Sequence, residues 1–164
     1  MIPTAHDVVT LVMSPDEVAG RSKDVRRTRT ALYDLIDRAV REILVFGFSF
    51  DDPAVLDRLD EARRRGVEVA LHLDADQMAS TARAAALLGA MEERGFTPAL
   101  HRTGERSSLH AKAIVVDGSR ALIGSANLTE RGADRNLELG VIIEGPSIAT
   151  LRNALVGWLR DHEV

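Results

Sequence analysis

Residues 43–74, ILVFGFSFDDPAVLDRLDEARRRGVEVALHLD, carry the pattern on which the fold turns. Ile43 to Phe48 is a short apolar run, which reads as a strand buried on both faces. Asp52-Pro53 follows, an N-cap residue with proline at the first helical position. Val55, Leu56, Leu59 and Ala62 then recur at helical spacing, and Gly66 stops the helix. Val67 to Leu73 is a second apolar strand. Strand, short helix and strand form a βαβ unit, so the two strands should lie parallel in one sheet.

Working outward, residues 7–13 (DVVTLVM) read as a first strand, and Ser14 to Lys23, with Pro15 and Gly20, as a loop. From Arg27 to Arg41 a one-sided helix is expected, with Leu32, Leu35, Ile36, Ala39 and Val40 on its apolar face. Beyond the central unit, Ser80 or Thr81 opens an alanine- and leucine-rich helix that ends at Gly95. Thr97 to His101 is a further strand. The pattern then changes: 109–116, 120–124 and 136–143 are strands with no helix between them. Pro146 and Ser147 start a last helix with Ile148, Leu151, Leu155, Trp158 and Leu159 on one face. An alternating first half and a strand-rich second half define an α/β fold. Its sheet should be mixed, mostly parallel, and flanked by helices on both faces.

The chain has 164 residues, 45% of them hydrophobic, which suits one domain over 1–164 with its core at about 27–160. It has no cysteine. That excludes disulfides, thiolate nucleophiles and cysteine-held metal centres. No apolar run approaches the ~20 residues needed to span a bilayer. The first 30 residues carry charges throughout and show no signal-peptide centre, so the expected location is cytoplasmic, without stable membrane association. The net charge is −4, which is not the profile of a protein that coats nucleic acid. A cleft can still focus a field of the opposite sign. Of the 21 basic residues, all but Lys23 and Lys112 are arginines. Arg63-Arg64-Arg65 read as a solvated helix end, and Arg26, Arg27 and Arg29 as surface.

The chemistry concentrates in residues 109–138, LHAKAIVVDGSRALIGSANLTERGADRNLE. His110 and Lys112 are two apart, so on an extended segment they point the same way, as do Ser125 and Asn127. Asp117-Gly118 is a hairpin signal that folds the strand from Arg120 back beside the one carrying His110. One imidazole, one ammonium, one amide and one hydroxyl then converge. That set suits an anion and no metal: Lys112 supplies charge, while Ser125 and Asn127 supply directed donors for phosphate oxygens. A neutral histidine can attack phosphorus if its other nitrogen is held, and Glu138 is the candidate to hold it. Singly, each residue has an ordinary reading as a turn, a cap or a surface group. Together, at fixed spacing, they read as a site.

His110-Ala-Lys112, Asp117 and Gly124-Ser125-Ala-Asn127 together resemble the HKD motif of the phospholipase D superfamily. The stretch 43–74 is similar to the segment where those proteins turn from a strand into a helix through an aromatic-Ser-aromatic sequence. In size and layout the chain resembles the small bacterial nucleases with one such motif. The first 25 residues resemble phospholipase D-like components of antiphage defence systems. The resemblance implies a phospholipase D-like fold and a metal-independent phosphodiesterase without cofactor, most simply an endonuclease on DNA or RNA. It implies His110, Lys112, Asn127 and Glu138 as catalytic residues, Lys112, Ser125 and Asn127 as phosphate binders, and Asp117 and Gly124 as supports. The family reaction uses two motifs, and this chain has one. A homodimer with a shared site and a phosphohistidine on His110 is therefore expected. Arg102, Arg106, Arg131 and Arg135 are candidates for flanking phosphates of a nucleic acid. The competing readings are a phospholipase or phosphatidyltransferase acting on lipid, and a dimeric nucleic-acid-binding subunit of a larger complex.

Overall fold

The computed structural model of the protein describes residues 6–102 and 108–161. The elements in chain order are β1 (Val8–Ser14), α1 (Asp16–Ala19), β2 (Val25–Arg27), α2 (Thr28–Asp37), β3 (Glu42–Gly47), α3 (Pro53–Arg64) and β4 (Glu68–Asp74). They continue with α4 (Ala75–Ala79), α5 (Ala82–Glu93), β5 (Ala99–His101), β6 (Ala113–Val116), β7 (Arg120–Gly124), α6 (Glu130–Asp134), β8 (Glu138–Glu144) and α7 (Ser147–Asp161).

All eight strands join one mixed sheet in the order β2-β1-β8-β7-β6-β3-β4-β5. The central βαβ unit is as expected: β3 and β4 pair in parallel from Glu42–Glu68 to Gly47–Leu73. Only β6 and β8 run against the other six strands, so the sheet is mostly parallel in strand direction. Adjacency is another matter. Each reversed strand sits between two forward ones, so antiparallel pairings outnumber parallel ones by four to three.

The run at β3 is apolar throughout because both of its faces are covered. Ile43 and Val45 face α2, α3 and α5, where they pack with Ile36, Leu56, Leu59 and Met91. Leu44 and Phe46, on the alternate face, pack with Val115, Ala121, Ile148 and Leu159 under α7. Leu151, Leu155 and Trp158 join that second layer, partly buried. The helix starts also match: Asp52 caps α3 through Ala54 N, and Thr81 caps α5 through Ala84 N.

Several expectations need correction. The helix expected to reach Arg41 stops at Asp37, and Val40 is 75% exposed, off the apolar face. The cause is Asp117, whose carboxylate accepts from the backbone N–H groups of Val40, Arg41 and Glu42 and so pulls that segment out of helix. The 14–23 stretch, expected as a loop, holds the single turn α1, and β2 then pairs in parallel with β1. Two more short helices, α4 and α6, have no long apolar stripe to announce them; each is held by one capping side chain, Asp74 or Thr129. Arg29 is not a free surface group. It joins α2 to the start of α3 through Asp52 at 2.9 Å and to α6 through Asp134 at 2.6 Å. Burial works against its charge, but hydrogen bonds to Asp134 and Tyr33 and the nearby Asp52 raise its pKa above the ordinary arginine value. Nor are Arg63, Arg64 and Arg65 merely solvated. The first two pair with buried Asp60, and Arg65 donates to the Ile36 and Asp37 carbonyls at the end of α2.

The β6–β7 hairpin turns at Asp117-Gly118, both at positive φ (55° and 63°), as its Asp-Gly signal requires. Asp117 is buried and also accepts from Arg120 at 2.8 Å. Burial alone would raise its pKa. The N–H groups of Arg41, Glu42 and Val40 and the Arg120 guanidinium outweigh burial and hold it below the ordinary carboxylate value. A depressed folded-state pKa stabilises the fold above the unfolded value and loses that contribution as pH falls through the folded one. Asp117→Ala should therefore cost about 1–3 kcal/mol near neutral pH. Urea denaturation should show the difference between variant and parent shrinking below about pH 4.

Candidate active site

The topology collects one edge of the sheet into a site. The carboxyl ends of β1, β3, β4 and β7 point to the same edge as the amino ends of the reversed strands β6 and β8. In open α/β sheets this is the edge where loops part and ligands fit. Phe48 leaves β3 there, Asp74 ends β4, Ser125 follows β7, His110 and Lys112 precede β6, and Glu138 begins β8.

His110 and Lys112 do come together, though not on a strand. The strand expected from Leu109 starts only at Ala113. Before it, the Leu109 N–H donates to buried Asp74 at 3.0 Å, and the His110 N–H donates back to the Ser108 carbonyl at 2.9 Å. The segment is thereby held off the sheet. Lys112 Nζ lies 3.3 Å from each ring nitrogen of His110 and donates to the His110 carbonyl at 3.0 Å. The Lys112 stem borders an apolar pocket walled by Val12, Ile114, Leu122 and Leu128. That burial lowers its pKa below the ordinary lysine value, and the charge of Glu138 opposes the shift only in part.

Gly124 shows why a glycine stands there. A Cβ on it would lie 2.7 Å from the Leu139 carbonyl oxygen and 2.9 Å from the Gly140 Cα. Bare backbones at this crossing let β7 and β8 close up, and Ser125 N then donates to Leu139 O at 2.9 Å. The Ser125 hydroxyl donates to Glu138 Oε2 and accepts from the Leu139 N–H at 3.1 Å. Asn136 Nδ2 donates to the other Glu138 oxygen at 3.3 Å. Glu138 was expected to hold the ring of His110; within one chain its carboxylate goes to Ser125 and Asn136 instead. Asn127 is half-buried, and its Oδ1 has no hydrogen-bond partner among the described residues.

Asp117 and Arg120 lie at the far end of the hairpin, five residues from Lys112 in the case of Asp117, or roughly 16 Å along a strand. They brace the fold and do not reach the site. Arg102, Arg131 and Arg135 are exposed, Arg135 pairing with Glu130; Arg106 lies outside the described residues. Among the described residues no cluster of three or more histidine, aspartate or glutamate side chains could hold a metal ion.

Sequence reasoning passed over three contributors. Asp74 fixes Leu109 and so aims the next residue, His110. Gly132 allows α6 to pack on the backbone of Asn127, where a Cβ would meet Asn127 O at 2.6 Å. Phe48 stands against both His110 and Lys112. Only Phe48 left a trace in the sequence, as the first ring of the aromatic-Ser-aromatic run Phe48-Ser49-Phe50.

One end of a mixed α/β sheet thus carries a histidine, a lysine, an asparagine and a serine, with the lysine set against the histidine. The family model for the cardiolipin synthase, phospholipase D-like domain matches residues 32–156. The chain therefore belongs to the phospholipase D-like family. Among solved structures it is similar to Nuc from Salmonella typhimurium, a phospholipase D family member, with a TM-score of 0.78 at 22% identity over 96% of this chain and 94% of that one. It is also similar to NucT from Helicobacter pylori, with a TM-score of 0.77 at 13% identity over 96% and 98%. Likeness at such identities shows the fold. Among curated proteins it is 29% identical over 155 residues to the DISARM protein DrmC of Bacillus paralicheniformis, covering 90% of this chain. The chain spans 61% of the length of that relative.

Gly124→Ala tests the crossing that positions Ser125. The added methyl forces β7 and β8 apart, and thermal denaturation should show a loss of about 1–3 kcal/mol.

Proposed function

We propose that the protein is a metal-independent phosphodiesterase, and that it cleaves DNA or RNA as an endonuclease. The observation that carries this reading is the Lys112 ammonium set against the ring of His110, at the end of the sheet where Ser125 and Asn127 follow β7. In the first step a ring nitrogen of His110 attacks phosphorus and the bond to the leaving ester oxygen breaks. That oxygen takes a proton from the His110 of a second copy. Water then attacks the phosphohistidine, the P–N bond breaks, and the water proton returns to the second histidine. Lys112 and Asn127 of both copies stabilise the phosphoryl oxygens, with Ser125 assisting. Lysine suits this role as a compact point charge. Glu138 holds Ser125, and its charge offsets in part the burial that lowers the Lys112 pKa.

Support for the second copy comes from an apolar face beside the site. Along β1 and β8, Val9 and Leu11 share a sheet face with Leu139, and all three are more than half exposed; Leu137 adjoins them. A patch of this kind is an interaction surface, and a twofold axis near it would face one His110 toward the other. Support for nucleic acid comes from the exposed Arg102, Arg131 and Arg135 and from the resemblance to small single-motif nucleases. The similarity to DrmC supports work within a larger, defence-related assembly. No helix among the described residues is long and apolar enough to cross a membrane. The second reading, a lipid phosphodiesterase or phosphatidyltransferase, is favoured by the lipid enzyme in the family model's description.

His110→Ala should abolish hydrolysis of plasmid DNA, single-stranded DNA, RNA and a chromogenic phosphodiester. The parent should stay fully active in excess EDTA and yield an acid-labile phosphoprotein on rapid quenching. Loss of activity with EDTA would end the metal-independent reading; turnover of phospholipid vesicles alone would select the lipid one. Activity should fall on the alkaline side below the ordinary lysine range, because Lys112 sheds its proton early. Leu11→Glu should convert a dimer, read by light scattering, into an inactive monomer.

A further inference from the structure

This inference rests on the proposed reaction and concerns what aims its nucleophile. Lys112 Nζ is equidistant from Nδ1 and Nε2 of His110, at 3.3 Å. It therefore gives the imidazole charge but does not choose which nitrogen faces the substrate. Glu138, the natural group for that choice, is engaged by Ser125 and Asn136. Something else must set the plane of the ring.

Phe48 is placed to do so. Its ring centroid lies 4.4 Å from that of His110, the two planes tilted by 57°, a close ring-on-ring contact. The same ring lies 5.0 Å from Lys112 Nζ, close enough for a cation–π contact. Phe48 belongs to none of the core clusters, whereas Phe46 and Phe50 on either side are 1% and 0% exposed. A large apolar ring left half-exposed between two buried ones, and touching two polar groups, is not explained by core packing.

The turn that begins at Phe48 also reaches the other half of the site. Ser49 O accepts from the Leu128 N–H at 3.1 Å, and the Asp51 N–H donates to Leu128 O at 3.1 Å. Leu128 follows Asn127 directly. Phe50, fully buried, anchors the turn in the core. One short segment thus presses on His110 and Lys112 at its start and is joined by its backbone to Leu128, the residue after Asn127.

We propose that Phe48 is a positioning residue. Its ring fixes the plane of the His110 imidazole against Lys112 and holds that pair in register with Asn127. It acts through His110 and touches no reacting atom.

The test compares Phe48→Leu and Phe48→Tyr with the parent, using bis(p-nitrophenyl) phosphate as substrate and nitrogen-15 NMR of the His110 ring. Leucine keeps bulk without a planar face. Its kcat should fall roughly ten- to a hundredfold, as expected for a misaimed nucleophile. Its KM should stay within about twofold, since binding groups are untouched. The His110 ring signals should lose their parental tautomer pattern, while the melting temperature is retained. Tyrosine should restore kcat and the pattern. Phe48→Leu with parental kcat and parental ring signals would overturn the proposal. So would a change confined to KM, or a tyrosine variant as impaired as leucine. If His110→Ala kept full activity, the reaction itself would be wrong, and the ring signals of Phe48→Leu would still decide whether the clamp exists.

Discussion

The antiparallel pairing of β6 with β3, in the register Phe46–Ala113, is the constraint from which the site follows. It sets the end of a forward strand beside the start of a reversed one. Phe48, two residues beyond Phe46, then meets His110 and Lys112, just ahead of Ala113. The same logic repeats at β7 and β8, where Gly124 pairs with Gly140 and brings Ser125 to Glu138. Each register is protected by burial. A slip of one residue would turn Ile114 and Val116 toward α7 and Val115 toward α2, against both cores. The chemistry is therefore held by packing that lies wholly outside it.

The two ends of the β6–β7 hairpin divide the labour of charge. At the turn, Asp117 is saturated by backbone N–H groups and Arg120, and nearby Glu42 pairs with Arg152 at 2.5 Å. Those charges are spent on each other and on the chain. At the open end Lys112 pairs with no carboxylate at salt-bridge distance among the described residues; its ammonium faces an imidazole, a carbonyl and an aromatic ring. A cation so placed keeps its attraction for an incoming anion.

The βαβ unit at 43–74, the capped starts of α3 and α5, the Asp-Gly hairpin and the apolar stripe of α7 were legible because each rests on local rules: periodicity, caps and turn chemistry. The grouping of His110 with Lys112 was legible as a close sequence spacing, although the segment that carries them is not the strand expected. The short helices α4 and α6 were not legible, because a single capped turn leaves no periodic signal. The end of α2 was misread for a different reason. Val40 continues an apolar pattern, yet a carboxylate 77 positions away claims its N–H.

The sequence by itself determined the family, the fold class and the residue types of the site, because the motif's spacing and the alternation of strand and helix are local properties of the chain. Tertiary structure alone decided the partners. Glu138 is drawn to Ser125 because the bare backbones at Gly124 and Gly140 let two strands close up. Asp74 holds Leu109, and Phe48 stands over His110 and Lys112, because a reversed strand delivers its start to the edge where β3 and β4 end. Such contacts depend on register and strand direction, which long-range burial sets and no local spacing encodes.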